Sequence, residues 1–158
     1  MNSEQTALAL VQLPDPDQAV ELIIRDPVAR NPDIIRALDA LSDSQLQASK
    51  ERIAIVKRFI IGIHELVDRF AKTTTLSQLA NVARGNRVFW HPQFKQLIQA
   101  FIQDALDAGT PKLADELSNA LHLKHEALSQ LQTHWDPLRE FPRRIASLAG
   151  WLERRQGS

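Results

Sequence analysis

Residues 51–72 read ERIAIVKRFIIGIHELVDRFAK, and the spacing of their apolar side chains predicts a long central helix. Six of these side chains recur at alternating steps of three and four, the spacing of a heptad seam: Ile53, Val56, Ile60, Ile63, Val67 and Phe70. A second row beside the seam widens the apolar surface to about half of the helix circumference: Ile55, Phe59 and Leu66. A stripe this wide predicts a helix over residues 43–72 that contacts two or more neighbours in a bundle.

Capping residues mark the helix boundaries on both sides of this stretch. At five places a side chain that accepts hydrogen bonds precedes a proline, a pair that favours the first turn of a helix: Asp15–Pro16, Asp26–Pro27, Asn31–Pro32, Thr110–Pro111 and Asp136–Pro137. Ser42 with Gln45 and Thr75 with Gln78 have the spacing of capping boxes. Gly109 has the position of a residue that ends one helix just before the next begins.

These signals predict an all-α protein, folded as a compact helical bundle or a short helical array of about six to seven helices. The predicted helices cover residues 16–25, 32–40, 43–72, 76–84, 92–108, 111–132 and 137–154. Residues 1–158 are expected to form a single domain. Within it, residues 1–13 are either a further helix or a frayed segment, and residues 155–158 are a polar tail. The short turn at Gly109 predicts an antiparallel hairpin of the two helices that it joins.

Composition indicates where the protein works. The chain has no cysteine, which rules out disulfides and thiolate metal sites. Residues 1–13 lack the basic start and the long apolar stretch of a signal peptide. No segment has the roughly 20 consecutive apolar residues that cross a bilayer. We therefore expect a soluble, cytoplasmic protein without a membrane partner.

The net charge is zero, but the charges lie in alternating blocks. Residues 1–49 carry a net charge of −5, residues 50–99 carry +6, residues 100–136 carry −4, and residues 137–158 carry +3. Packed helices can neutralise such blocks against one another. We favour that interpretation over a nucleic-acid surface, because nucleic-acid-binding domains are usually basic as a whole.

Motifs that would indicate an enzyme are weak or absent from the sequence. Residues 64–68, HELVD, approach the zinc-protease helix motif but have Asp68 where the second histidine belongs. His122 and His125 are spaced to share a metal on one helix face, although a solvated face is the simpler interpretation. The sequence has no glycine-rich phosphate loop and no nucleophile motif. We therefore expect no catalytic activity, no cofactor and no bound metal.

The connection RGNRVFWHP, residues 84–92, is the strongest candidate for a binding surface. It combines Arg84, Arg87, Phe89 and Trp90, and both arginine and tryptophan are common at interface hot spots. Interleaved basic and aromatic side chains also suit single-stranded nucleic acid. The alternative is structural, with Phe89 and Trp90 anchoring the connection to the core.

Arg139 and Arg143, one helical turn apart, form a second candidate surface. Arginine favours bidentate contacts with carboxylates and phosphates. The alternative interpretations are a solvated face, or a face that packs on the acidic block of residues 100–136.

The lack of catalytic motifs and the two arginine-bearing surfaces favour a non-enzymatic helical protein–protein interaction module, such as an adaptor, regulatory or assembly subunit. The expected partner is another protein, and self-association into a homo-oligomer stays open. The alternative is a nucleic-acid-associated protein that uses the basic segments 50–99 and 137–158. A single joined basic face would favour the alternative, whereas arginines paired with carboxylates would favour protein binding.

Overall fold

The computed structural model of the chain describes residues 2–44 and 47–132. These residues form eight α-helices: α1 (Ser3–Gln12), α2 (Ala19–Arg25), α3 (Pro27–Arg30), α4 (Ile34–Ser44), α5 (Gln47–Ala71), α6 (Leu76–Gly85), α7 (Phe94–Asp107) and α8 (Pro111–Gln132). Two 3₁₀ turns, Pro16–Gln18 and Arg87–Trp90, lie between helices. The predicted all-α array is confirmed, with no strand in the described residues. No helix in this part of the chain has both the length and the apolar character of a membrane span.

Most of the predicted caps start the elements that they precede. Asp15 and Asp26 each accept a hydrogen bond at 3.0 Å from the backbone N–H two residues further on. Thr75 and Gln78 form the predicted capping box, with both hydrogen bonds at 3.2 Å. Asn2 caps the first helix in the same way, so the N-terminal segment is helical. These caps satisfy backbone donors that a helix start leaves without partners.

The predicted start of the long helix at Ser42 is wrong. α4 continues through Ser42 and ends at Ser44, while Gln45 lies outside the described residues. The apolar side of α4 extends past the predicted end, from the buried Leu38 to the partly buried Leu41. The Ser44 hydroxyl donates to the Leu41 carbonyl at 3.0 Å, a bond that serine makes within a helix. The local capping signal is therefore overridden by tertiary burial.

α5 is the central helix, as predicted. It packs against α1, α4, α6 and α8. All six residues of the heptad seam are buried, with exposed fractions of 5% or less. The second row is buried in part only: Leu66 is buried and Phe59 is half-buried, but Ile55 is 51% exposed. The apolar surface of α5 therefore narrows at its N-terminal end, where no described element covers Ile55.

α7 and α8 form the predicted antiparallel hairpin. Gly109 has a φ of 75°, the left-handed conformation that glycine adopts without strain. The N–H of Gly109 donates to Leu106 at 3.1 Å and the N–H of Thr110 donates to Ala105 at 2.8 Å. These two bonds make a Schellman motif, which closes the end of α7 and directs the chain into α8.

An ion pair fixes the N-terminal helices to this hairpin. Arg30 makes bidentate bonds of 2.6 and 2.8 Å with the Asp104 carboxylate of α7. It lies in the short helix α3, whose cap at Asp26 was predicted but which was not predicted as a separate helix. The same guanidinium donates to the carbonyls of Ile23 and Ile24. The side chain of Arg30 is only 6% exposed, and each buried N–H group of its guanidinium has an acceptor.

Candidate functional site

The connection between α6 and α7 folds as the 3₁₀ turn Arg87–Trp90, and the side chain of Asn86 fixes its position. The Asn86 side chain accepts a hydrogen bond from the Val88 N–H at 2.9 Å and donates to the Gly62 carbonyl of α5 at 3.2 Å. The first bond caps the turn, while the second ties the turn to the central helix. As a result, Val88 and Phe89 point into the core.

Phe89 lies inside the protein rather than on its surface. The side chain is 1% exposed, and its ring contacts Phe70, Trp90 and Phe94 at centroid distances of 6.2, 4.9 and 5.3 Å. The edge-on and tilted geometries are the favourable ones for aromatic pairs. Phe89 therefore has the position of a structural anchor, and its ring is not presented to a partner in this conformation.

Trp90 is half-buried and belongs to both the core and the surface. Its indole N–H donates to the Ala83 carbonyl at 3.0 Å, which fixes the ring against the end of α6. Another part of the side chain lines a surface cleft. Trp90 is therefore the member of the predicted aromatic pair that a ligand can reach.

Arg84 and Arg87 lie apart from this cleft. The side chain of Arg87 is 73% exposed and pairs with Asp17 at 2.9 Å, while Arg84 is exposed in the last turn of α6. Arg139 and Arg143 lie outside the described residues. The structure thus places one predicted site residue, Trp90, at the cleft and the arginines of the connection elsewhere on the surface.

The cleft has a volume of about 560 Å³ and lies between the start of α7 and the second half of α8. This volume falls in the range of small-molecule and peptide-side-chain pockets. Its lining combines apolar and basic side chains: Trp90, His91, Pro92, Phe94, Lys95, Leu121, His122, Lys124, His125 and Leu128. His91 also accepts a hydrogen bond on Nδ1 from the Gln93 N–H, at 3.1 Å, and so shapes the first turn of α7.

Lys124 is the functional candidate that the sequence analysis missed. Its Nζ donates to the Phe89 carbonyl at 2.6 Å and lies 4.0 and 3.9 Å from the ring centroids of Phe89 and Phe94. Burial lowers the pKa of Lys124 to about 7, because the ammonium is removed from water. A signal was present in the sequence, since Leu117, Leu121, Lys124 and Leu128 follow apolar helical spacing with one charged member.

His64 and His122, which were considered as metal ligands but are not expected to bind a metal, make other contacts. His122 pairs with Glu126 at 3.0 Å, and its neighbour His125 is exposed on α8. The His64 ring meets the Phe101 ring edge-on at 5.7 Å, and burial lowers the pKa of His64 although the nearby Asp68 carboxylate raises it. Within the described residues, no three His, Asp or Glu side chains gather as a metal site would require.

Comparisons of the chain with protein-family models, with curated proteins and with solved structures found no match.

Proposed function

We propose that this chain is a non-enzymatic protein-interaction module that binds an acidic, partly apolar segment of another protein in the cleft between α7 and α8. The lining of the cleft carries this proposal. Trp90, Leu121 and Leu128 offer apolar contacts to a side chain of the segment. An adaptor, regulatory or assembly subunit would use such a cleft to hold its partner.

Charge selects the occupant of the cleft. Two lysines and three histidines line it, and no carboxylate side chain does so among the described residues. An acidic segment would be attracted to such a surface, and complementary charge gives both specificity and fast association. The chain's own residues 137–158 carry a net charge of +3, so charge argues against that segment as the occupant.

A peptide-display selection on the full-length protein tests this proposal. We expect enriched peptides to combine Asp or Glu with Leu, Phe or Trp. Lys95→Glu reverses a charge at the cleft and should lower the affinity for an enriched peptide by at least about tenfold. The matched control is Lys112→Glu on α8, whose side chain is 91% exposed and does not line the cleft. It should change the affinity by less than about twofold.

Enrichment of basic peptides, or equal effects of the two charge reversals, would contradict the proposal. Nucleic acid remains the alternative partner, because Trp90 beside basic side chains could stack on an unpaired base. Binding of a fluorescent single-stranded oligonucleotide with a steep logarithmic dependence on salt, abolished by Lys95→Glu, would favour that alternative.

In the proposed complex with a peptide, Arg84 and Arg87 would extend the contact surface around the cleft rather than form its centre. Arg87 lies one 3₁₀ turn from Trp90 and is held by Asp17. We expect Arg87→Ala to weaken peptide binding less than Lys95→Glu does, because rim charges act mainly on association. That Arg139 and Arg143 contribute to partner binding remains a prediction.

A further inference from the structure

Lys124 sits in an environment that disfavours its charged form. Its amine is enclosed by the rings of Phe89 and Phe94, and among the described residues no carboxylate forms a salt bridge with it. The ring faces and the Phe89 carbonyl favour an ammonium ion, but the loss of water opposes it more strongly, and burial lowers the pKa to about 7. Near neutral pH, a large fraction of this side chain is therefore a neutral amine with a free lone pair.

The exposed lysine Lys112 shows the opposite environment. Its side chain is 91% exposed and lies 3.9 Å from the Glu116 carboxylate. Of these two lysines on α8, only Lys124 is enclosed by aromatic rings at the wall of the cleft.

Lys124 also lies at the wall of an open cleft that a small ligand can enter. The cleft volume of about 560 Å³ is sufficient for a small metabolite. Lys95 lines the same space and would attract an anionic group on the ligand. The hydrogen bond from Nζ to the Phe89 carbonyl fixes the position of the amine relative to that space.

We propose that Lys124 reversibly captures small anionic aldehydes or keto acids in this cleft as an imine. This second use of the cleft is independent of whether the cleft also binds a peptide. The neutral amine adds to the carbonyl carbon and one amine proton moves to the carbonyl oxygen, so that a C–N bond forms and the C=O π bond is replaced by a hydroxyl. Loss of that hydroxyl with the remaining amine hydrogen, as water, gives the C=N bond. Nothing is oxidised or reduced, and the imidazoles that line the cleft are suited to carry the protons.

Reductive trapping of the full-length protein with glyoxylate and cyanoborohydride at pH 7 tests this proposal. Peptide mapping by mass spectrometry then gives the rate at which each lysine gains a carboxymethyl group. We expect Lys124 to be labelled at least about tenfold faster than Lys112 or Lys95. Labelling that follows exposure, with Lys112 first, would overturn the proposal without any variant.

Two further arms identify the residue and the ligand class. Lys124→Arg removes the amine and should abolish the fast phase of labelling, whereas Lys112→Arg, outside the cleft, should leave that phase unchanged. A fast phase that survives Lys124→Arg would show that another lysine is the reactive amine. Acetaldehyde has no anionic group, so the labelling ratio of Lys124 to Lys112 should be at least about threefold higher with glyoxylate than with acetaldehyde. Equal ratios would overturn the anionic specificity. Neither arm depends on peptide binding, so failure here and failure of the interaction proposal are distinguishable.

Discussion

A single side chain, Lys124, links the packing of this protein to its candidate site. Its aliphatic part follows the apolar spacing of α8, and its amine reaches the carbonyl and the ring of Phe89 in the preceding connection. A methionine would fill the same space without the cost of removing a charge from water. An amine at this place therefore lowers the free energy of unfolding relative to a methionine, by an amount that depends on pH.

We expect the free energy of unfolding to rise between pH 7 and pH 10.5. In this window the unfolded chain holds a proton on Lys124, whose ordinary pKa is 10.5, while the folded protein, with a pKa of about 7, does not. The rise is limited to about 1.4 kcal/mol per pH unit for one proton. The chain has no tyrosine or cysteine side chain to titrate there. Urea titrations at pH 7 and pH 9.5 measure the rise, and Lys124→Met should abolish it. A parallel rise in the variant would contradict the assignment.

At the scale of elements, the seam of α5 should control stability. Ile60 is 1% exposed on the face that packs against the neighbouring helices, so Ile60→Ala should cost about 2–5 kcal/mol through lost burial and a cavity. Ile55→Ala is the matched control on the same helix, because Ile55 is 51% exposed. It should cost less than about 1 kcal/mol. Urea titration of both variants gives the comparison, and equal losses would show that the buried seam is not what makes α5 central.

The hairpin of α7 and α8 depends on the backbone conformation at Gly109. A Cβ there would meet no atom within 4 Å, so the expected penalty of Gly109→Ala comes from the φ of 75° alone. We expect a loss of about 1–2 kcal/mol in the free energy of unfolding. Gly85→Ala, at the end of α6, is the control, because its Cβ would make only an ordinary contact with Arg69 at 3.5 Å. It should be neutral or stabilising by up to about 1 kcal/mol. Thermal unfolding measures the comparison. The melting temperature should fall for Gly109→Ala and should stay unchanged or rise for Gly85→Ala.

At the scale of the whole molecule, the Arg30–Asp104 pair joins segments 74 residues apart. Asp104→Asn would leave the guanidinium buried beside a neutral amide, with an expected cost of about 3–5 kcal/mol. Asp107→Asn is the control on the same helix, since Asp107 makes an exposed bond with Gln103. It should change stability by less than about 0.5 kcal/mol. A similarly small effect of Asp104→Asn would show that the pair does not hold the N-terminal helices to the hairpin.

The helices and most of their ends could be predicted from the sequence, because they depend on neighbouring residues. Apolar steps of three and four gave the seam of α5, and the cap at Thr75 and the turn at Gly109 lie where their residue types predict. The prediction at Ser42 failed for another reason. α4 continues there because its apolar side packs against other helices, and local sequence does not contain such contacts. At α3 the cap at Asp26 was predicted, but the bond from Arg30 to Asp104 was not.

The sequence by itself determined that the chain forms helices, which face of α5 is apolar, and that Trp90 stands beside basic residues. Only the tertiary structure decided which side chains meet. Phe89 and Lys124 are 35 residues apart, and the packing of α8 against the connection before α7 brings the amine onto the Phe89 carbonyl. The pKa of Lys124 changes because burial removes water from its amine, and burial exists only in the folded chain. The sequence made Phe89 a candidate for a binding surface, but the folded chain buries its ring.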